Sequence, residues 1–205
     1  MSIEERYVRD TYNIIAKSFD NSRYRPWSCV EDFLNQIPSG SKIGDIGCGN
    51  GKNMLFRKDC ENIGCDFTTS FVDICIEKGL DVVYGDTLEI PFEEDTFDYT
   101  ISIAVIHHLS TEEKRKKAIS ELIRTTNKGG RILILVWALE QEYNSKRKFI
   151  TQENMVDWKD KQGNLLGQRY YYVFIENELE SLIPENIKII KSFYEKGNWG
   201  IIIEI

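Results

Sequence analysis

The stretch GDIGCGNGK, Gly44 to Lys52, constrains the fold more than any other part of the chain. It follows a short apolar run and places four glycines in nine residues. Glycine adopts backbone conformations, and permits close approaches, that a Cβ forbids. A glycine-rich turn after a strand therefore marks a place where backbone passes close to a ligand. Spacing separates the ligand classes. A phosphate-binding P-loop needs G-x-x-x-x-G-K-[ST]. Here the residue five before Gly51 is Ile46, and Lys52 is followed by Asn53. A dinucleotide fingerprint needs G-x-G-x-x-G, but Gly47, Gly49 and Gly51 bring the third glycine one residue early.

The remaining pattern, D-x-G-x-G-x-G, suits a nucleoside that carries an amino acid and no phosphate. S-adenosylmethionine is such a ligand, and its sulfonium is cationic, so an acidic site is physically sensible. Asp45 is expected to help hold the ammonium of the methionine moiety. A second acid should meet the ribose hydroxyls about twenty residues later, where Asp66 ends the second strand. Asp86, after the third strand, is expected to meet the adenine amine. The expected cofactor site comprises Asp45, Gly47, Cys48, Gly49, Gly51, Asp66, Phe67, Asp86, Thr87 and Ala104.

The flanking pattern predicts an α/β protein. Residues 5–19 place Val8, Tyr12, Ile15 and Phe19 on one helical face, and VEDFLNQI reads as a second helix. Strands then alternate with helices through KIGDIG, NIGCDF, LDVVYGD, DYTISIAVI and RILILVWAL, which predicts a parallel sheet covered on both faces. Ser110-x-x-Glu113 reads as a capping box that opens the helix carrying Ala118, Ile119, Leu122 and Ile123. The last two runs, IKIIKSFYEK and WGIIIEI, join around Gly197-Asn198 as a hairpin. A mostly parallel sheet that closes on an antiparallel hairpin is not the symmetric dinucleotide-binding fold. One domain is expected over 1–205, with a helical lid over 1–40 and an insertion over the active-site face at 140–180.

Composition narrows the setting. The length of 205 residues suits one domain, and no apolar run approaches a membrane span. The charged start MSIEERYVRD is not a signal peptide, so a cytosolic or nuclear protein is expected. Five cysteines without a C-x-x-C pair predict reduced thiols and no metal site. A net charge of −7 argues against strong autonomous nucleic-acid binding but leaves room for a local basic face. KRKK (114–117) reads as a solvated face, whereas SKRK (145–148) lies nearer the predicted opening.

Longer blocks are more restrictive. YNIIAKSFDNSRYRPW, IGDIGCGNGK, TFDYTISIAVIHHLST, RILILVWALEQ, RYYYVFIENELE and SFYEKGNW resemble the eukaryotic tRNA wobble-uridine methyltransferases. Those enzymes convert 5-carboxymethyluridine to its methyl ester, and the same module occurs fused to an oxygenase domain in animal proteins. The similarity runs from about Tyr7 to the last strand. The chain departs from the usual pattern at Ser28, where proline is common, and at Leu109, where tryptophan often follows the paired histidines. The resemblance implies a Rossmann-like class I S-adenosylmethionine-dependent methyltransferase fold, with seven strands and the last antiparallel. It also implies tRNA as substrate and a heterodimer with a small zinc-binding activator protein. In that family the partner adds a strand to the sheet edge, here expected at Leu80–Gly85 with Val82 and Val83.

A carboxylate acceptor is already ionised at neutral pH, so no general base is required. Positioning and exclusion of water carry the work. The expected catalytic residues are His107 and His108, the only histidines, and Arg23. The expected acceptor contacts are Arg23, Arg25, Trp27, Trp137, Arg169 and Tyr170, with Trp137 stacking the uridine. Asn198 and Trp199 read as structural. Two alternatives stay open: a small-molecule or lipid O-methyltransferase, and a non-catalytic binding module of the same fold.

Overall fold

The computed structural model describes residues 1–205. Its central sheet has seven strands in the order β3-β2-β1-β4-β5-β9-β8. These are β1 (Lys42–Ile46), β2 (Glu61–Asp66), β3 (Asp81–Tyr84), β4 (Phe97–Ile103), β5 (Thr126–Trp137), β8 (Lys188–Glu195) and β9 (Asn198–Glu204). The pairs from β3 to β5 are parallel, and β9 runs antiparallel to both β5 and β8. The fold is therefore the Rossmann-like α/β methyltransferase fold with a reversed penultimate strand in space. The separate hairpin β6 (Glu153–Lys159) and β7 (Leu165–Tyr172) forms its own two-stranded sheet.

The strongest strand signal, RILILVW, is the centre of β5. Ile132, Ile134 and Val136 face a core shared with α4 (Glu112–Thr125) and α5 (Glu178–Ser181). Leu133 and Leu135 face the opposite core with Val30, Phe33 and Leu34 of α2 (Ser28–Asn35). A strand buried on both faces needs this unbroken apolar run. On the left half, α3 (Thr69–Glu77) and α1 (Asp10–Asp20) pack together through Phe71, Tyr12, Ile15 and Ala16. A π-helical turn, Glu5–Arg9, leads into α1.

Three local expectations shift. The N-cap of α4 is Thr111, whose hydroxyl accepts from the Lys114 amide, while Ser110 bonds to Glu4 instead. The closing turn is Lys196-Gly197, both with positive φ of 48° and 78°, one residue earlier than read. Such a two-residue turn matches the twist of the strands it joins. At the sheet edge, Val82 turns into the core, so only Val83 and Tyr84 of β3 are exposed apolar residues.

β1 is the topological switch point, since β2 and β3 lie to one side and β4 onward to the other. Ligands of open α/β sheets bind in the crevice at the carboxyl ends of strands at such a point. The glycine loop leaves β1 there, and Ala104–His108 leaves β4 beside it. No helix is long and apolar enough to cross a membrane.

Candidate active site

A cavity of about 760 Å³ opens at this crevice. Its cofactor-side wall contains Gly47, Cys48, Gly49, Asp66, Phe67, Asp86, Thr87 and Ala104 from the expected set. Gly47 has φ of +78°, and a Cβ there would collide with Val105. Ala104 holds a left-handed φ of 63°, a conformation costly for a residue with a side chain and typical of functional turns. Asp66 accepts from the Gly49 amide at 2.8 Å and the Thr68 amide at 2.8 Å, which fixes its carboxylate at the rim. Thr87 Oγ1 is buried without a partner. Glycines that admit a ligand, a fixed acid and an orphan hydroxyl fit S-adenosylmethionine.

Two expected cofactor residues are absent from the lining. Gly51 serves the packing of the loop instead, since a Cβ there would overlap Leu80. Asp45 is fully buried, with Asn53 Nδ2 at 3.4 Å from Oδ2 and with Oδ1 unpartnered. Burial pushes its carboxyl up to about 7, and Asn53 and Lys52 only partly offset this.

The other half of the cavity is basic. Arg23, Lys52, Lys146, Arg147, Lys148 and Arg169 all line it. None of the six joins an ion pair. Burial holds the Lys52 ammonium below its usual range, and nearby Arg23 lowers it further. Burial likewise lowers Arg147, with Arg23 and Arg169 as like-charged neighbours. Asp45 partly offsets the shift of Lys52, but no cation of this wall is held in an ion pair, so the cluster suits an anion from outside.

The two histidines have different states. The Trp137 amide donates to His107 Nδ1 at 3.0 Å, so the neutral ring carries its proton on Nε2. That N–H is buried without a partner. Burial holds His107 well below its ordinary range, with His108, Arg147 and Arg169 adding to the effect. His107 is thus a hydrogen-bond donor and not a base. His108 is saturated. Its Nδ1–H donates to the Tyr170 carbonyl at 2.7 Å, which makes Nε2 an acceptor for the Tyr12 hydroxyl at 3.1 Å. The Tyr171 hydroxyl then donates to Tyr12 at 3.2 Å, and Arg169 Nη1 donates to Tyr171 at 2.8 Å. This one-directional chain leaves His108 nothing to offer an acceptor. Burial pushes it down to about 3.

The expected acceptor residues divide in the same way. Arg23, Trp27, Trp137 and Arg169 line the cavity; Arg25 and Tyr170 do not. Arg25 is exposed and pairs with Glu31 at 3.1 Å. Tyr170 fails for a geometric reason. Side chains alternate along a strand, so Arg169 and Tyr171 share the cavity face of β7 and Tyr170 takes the other. The residue next in line, Tyr171, was missed because 153–172 did not read as a hairpin.

Trp137 has no free face for a base. Tyr171 stacks on one side at 4.1 Å between ring centroids with 12° between planes, and the Arg147 guanidinium covers the indole at 3.9 Å. Of KRKK, Lys114, Lys116 and Lys117 form ion pairs, but Arg115 is buried over Tyr172 and donates to the Leu109 carbonyl. The WALEQ and YEKGNW blocks meet each other: Gln141 donates to the Gly197 carbonyl and Trp199 Nε1 to Glu140.

Comparison with known proteins agrees with this geometry. Residues 44–134 match the family model described as a methyltransferase domain. The chain is 38% identical, over 98% of its length and 97% of theirs, to the tRNA (carboxymethyluridine(34)-5-O)-methyltransferase of Schizosaccharomyces pombe. It is 45% identical to the mouse protein of that name with the suffix ALKBH8, over all of this chain and 44% of the mouse one. The chain spans less than half the length of the animal and plant relatives it matches. Among solved structures, the CcbJ methyltransferase of Streptomyces caelestis aligns with a TM-score of 0.76 at 12% identity, over 95% of this chain and 97% of that one. A complex between the Haloferax volcanii Trm112 methyltransferase activator and a methyltransferase aligns at 0.67 and 14%, over 96% of each chain. At these identities the structures show the fold alone.

Proposed function

The chain belongs to the tRNA (carboxymethyluridine(34)-5-O)-methyltransferase family, and from that premise we propose that it esterifies 5-carboxymethyluridine at the wobble position of tRNA. The observation that carries the reading is the divided cavity. Its glycine wall is acidic and suits a cationic methyl donor. Its other wall holds six cations, none of them in an ion pair, and suits an anionic RNA acceptor.

S-adenosylmethionine bound along Gly47, Gly49, Asp66, Asp86 and Thr87 would supply an electrophilic methyl group. The chain's own residues then have to hold a carboxylate in line and keep water out. His107 lines the cavity with its Nε2–H unpartnered, which supports a role as donor to an acceptor oxygen in a reaction that needs no base. Arg23, whose charge acts on both Lys52 and Arg147, suits the nucleotide's phosphate or carboxylate. The hydrogen-bonded chain from Arg169 to the Tyr170 carbonyl fixes α1 against β7 and so closes the cavity from the hairpin side.

We also propose that a small activator of the zinc-binding type adds to the edge strand β3. The exposed Val83 and Tyr84 beside an unpaired edge support this, as does the likeness to the archaeal complex. Deletion of the protein should remove the methyl ester of 5-carboxymethyluridine from cellular tRNA and accumulate the free acid, read by mass spectrometry of nucleosides. An unchanged nucleoside profile would sink the proposal. Methylation of a free small acid in preference to tRNA would favour the small-molecule alternative.

A further inference from the structure

The cation on Trp137 is the least explained charge in the molecule. Arg147 comes from the loop after β5, half-buried, with its guanidinium 3.9 Å above the indole. A guanidinium stacked on an aromatic ring keeps its plane, and its N–H donors point outward along that plane. No donor of this guanidinium meets a protein acceptor; only the backbone amide of Arg147 is bonded, to Ser145.

The acids of the cavity are already engaged. Asp66 accepts from two backbone amides, Asp86 accepts from the Leu88 amide, Glu4 pairs with Lys114, and Asp157 pairs with Lys159. None of them turns to Arg147. A second unsatisfied donor packs against the same indole: His107, whose ring lies 5.4 Å from that of Trp137 and whose Nε2–H has no partner. Two unclaimed donors on one aromatic platform, one of them a planar fork, match the two oxygens of a carboxylate. The neighbouring Lys146 and Lys148 are exposed and suit the backbone phosphates of a larger ligand.

We propose that Arg147 is the specificity-determining residue of the acceptor half, gripping one oxygen of the substrate carboxylate while His107 Nε2–H steadies the group. The proposal rests on the methyl-ester reading above. During transfer the free carboxylate oxygen forms the bond to the methyl carbon as the S–CH₃ bond breaks. The carboxylate and the sulfonium both become neutral, and no proton moves. The ion pair with Arg147 therefore exists with the substrate and is gone with the ester. Arg147 holds the acid and releases the product, and it rejects a neutral side chain of the same shape.

The test uses the full chain with its activator, the wild type beside Arg147→Ala, Arg147→Gln and Arg147→Lys. Two tRNAs are compared, one with 5-carboxymethyluridine at the wobble position and one with the neutral isostere 5-carbamoylmethyluridine. The wild type should bind the acid about 10- to 100-fold tighter than the amide, the range of a charge-assisted contact. Arg147→Ala and Arg147→Gln should lose that preference through a higher KM for the acid, with kcat nearly kept, and Arg147→Lys should restore part of it. Cofactor affinity should follow the wild type, which separates this loss from unfolding. A preserved acid-over-amide preference in Arg147→Gln would overturn the assignment, as would a loss confined to kcat. A wild type that methylates neither tRNA would overturn the methyl-ester reading, and this inference with it.

Discussion

Asp45, one residue before the end of β1, is buried from water with one carboxylate oxygen unpartnered. Its carboxyl stands at about 7 in the fold, against about 3.9 in an unfolded chain. A raised folded value stabilises the protein below the unfolded value, and that contribution is lost as pH rises through 7. Asp45→Asn should therefore be more stable than the wild type at pH 8, by about 2–4 kcal/mol, and match it near pH 4 in urea unfolding. A cationic cofactor favours the ionised form. Wild-type affinity for S-adenosylmethionine should rise from pH 6 to 8, and Asp45→Asn should bind more weakly with a flat profile. Calorimetry that finds the wild type flat as well would separate Asp45 from the cofactor. At this scale the glycine spacing was legible, because a positive φ leaves few residue choices. Which glycine faces the ligand and which packs the loop was not, because Leu80 meets Gly51 only in three dimensions. The two histidines were legible as a pair, but their division of roles depends on the Trp137 amide and the Tyr12 hydroxyl, both distant in sequence.

Among the elements, α2 begins without a side-chain cap of its own. Glu195 of β8 supplies one across the molecule. Its carboxylate accepts from Ser28 Oγ at 2.6 Å and from the Cys29 amide at 3.3 Å, in the first turn of α2. An anion there also opposes the positive end of the helix. Ser28, a departure from the family pattern, thus ties the SRYRPW loop to the last hairpin. Glu195→Ala should cost about 0.5–2 kcal/mol, seen as a lower urea midpoint, and Glu195→Gln less. No change in the alanine variant would mean that the loop is held elsewhere. The parallel strands were readable from their apolar runs. The β6–β7 hairpin was not, because β6 alternates only between half-buried and exposed and β7 buries three consecutive residues, Arg169, Tyr170 and Tyr171, without alternation. Its strands rest on α1 through Thr11 to the Gln168 carbonyl and Trp158 Nε1 to Ser18, contacts without a local signature. Missing that hairpin is what placed Tyr170 where Tyr171 stands.

For the whole molecule, the net charge of −7 and the basic wall of the cavity coexist because most acids lie outside the cavity, many of them paired with surface lysines and arginines, and the four that line it are engaged by other partners. Overall charge was legible and pointed away from nucleic acid; its distribution emerged only once residues 23, 52, 146–148 and 169 were brought to one cavity. Lys146 and Lys148 are exposed at that cavity. Replacing each with alanine should flatten the dependence of log K for tRNA on log salt by roughly 0.7–0.9, without changing which nucleoside is chosen. An unchanged slope would remove them from the RNA path. The central claim is that a cationic donor meets an anionic wobble uridine across the divided cavity. Its most direct test is labelled methyl transfer from S-adenosylmethionine, by the chain and its activator, to tRNA bearing 5-carboxymethyluridine. The expected result is a methyl ester on the wobble nucleoside alone, released by mild base; label that stays on the tRNA as a base-stable methyl, or no label with cofactor bound, would contradict it.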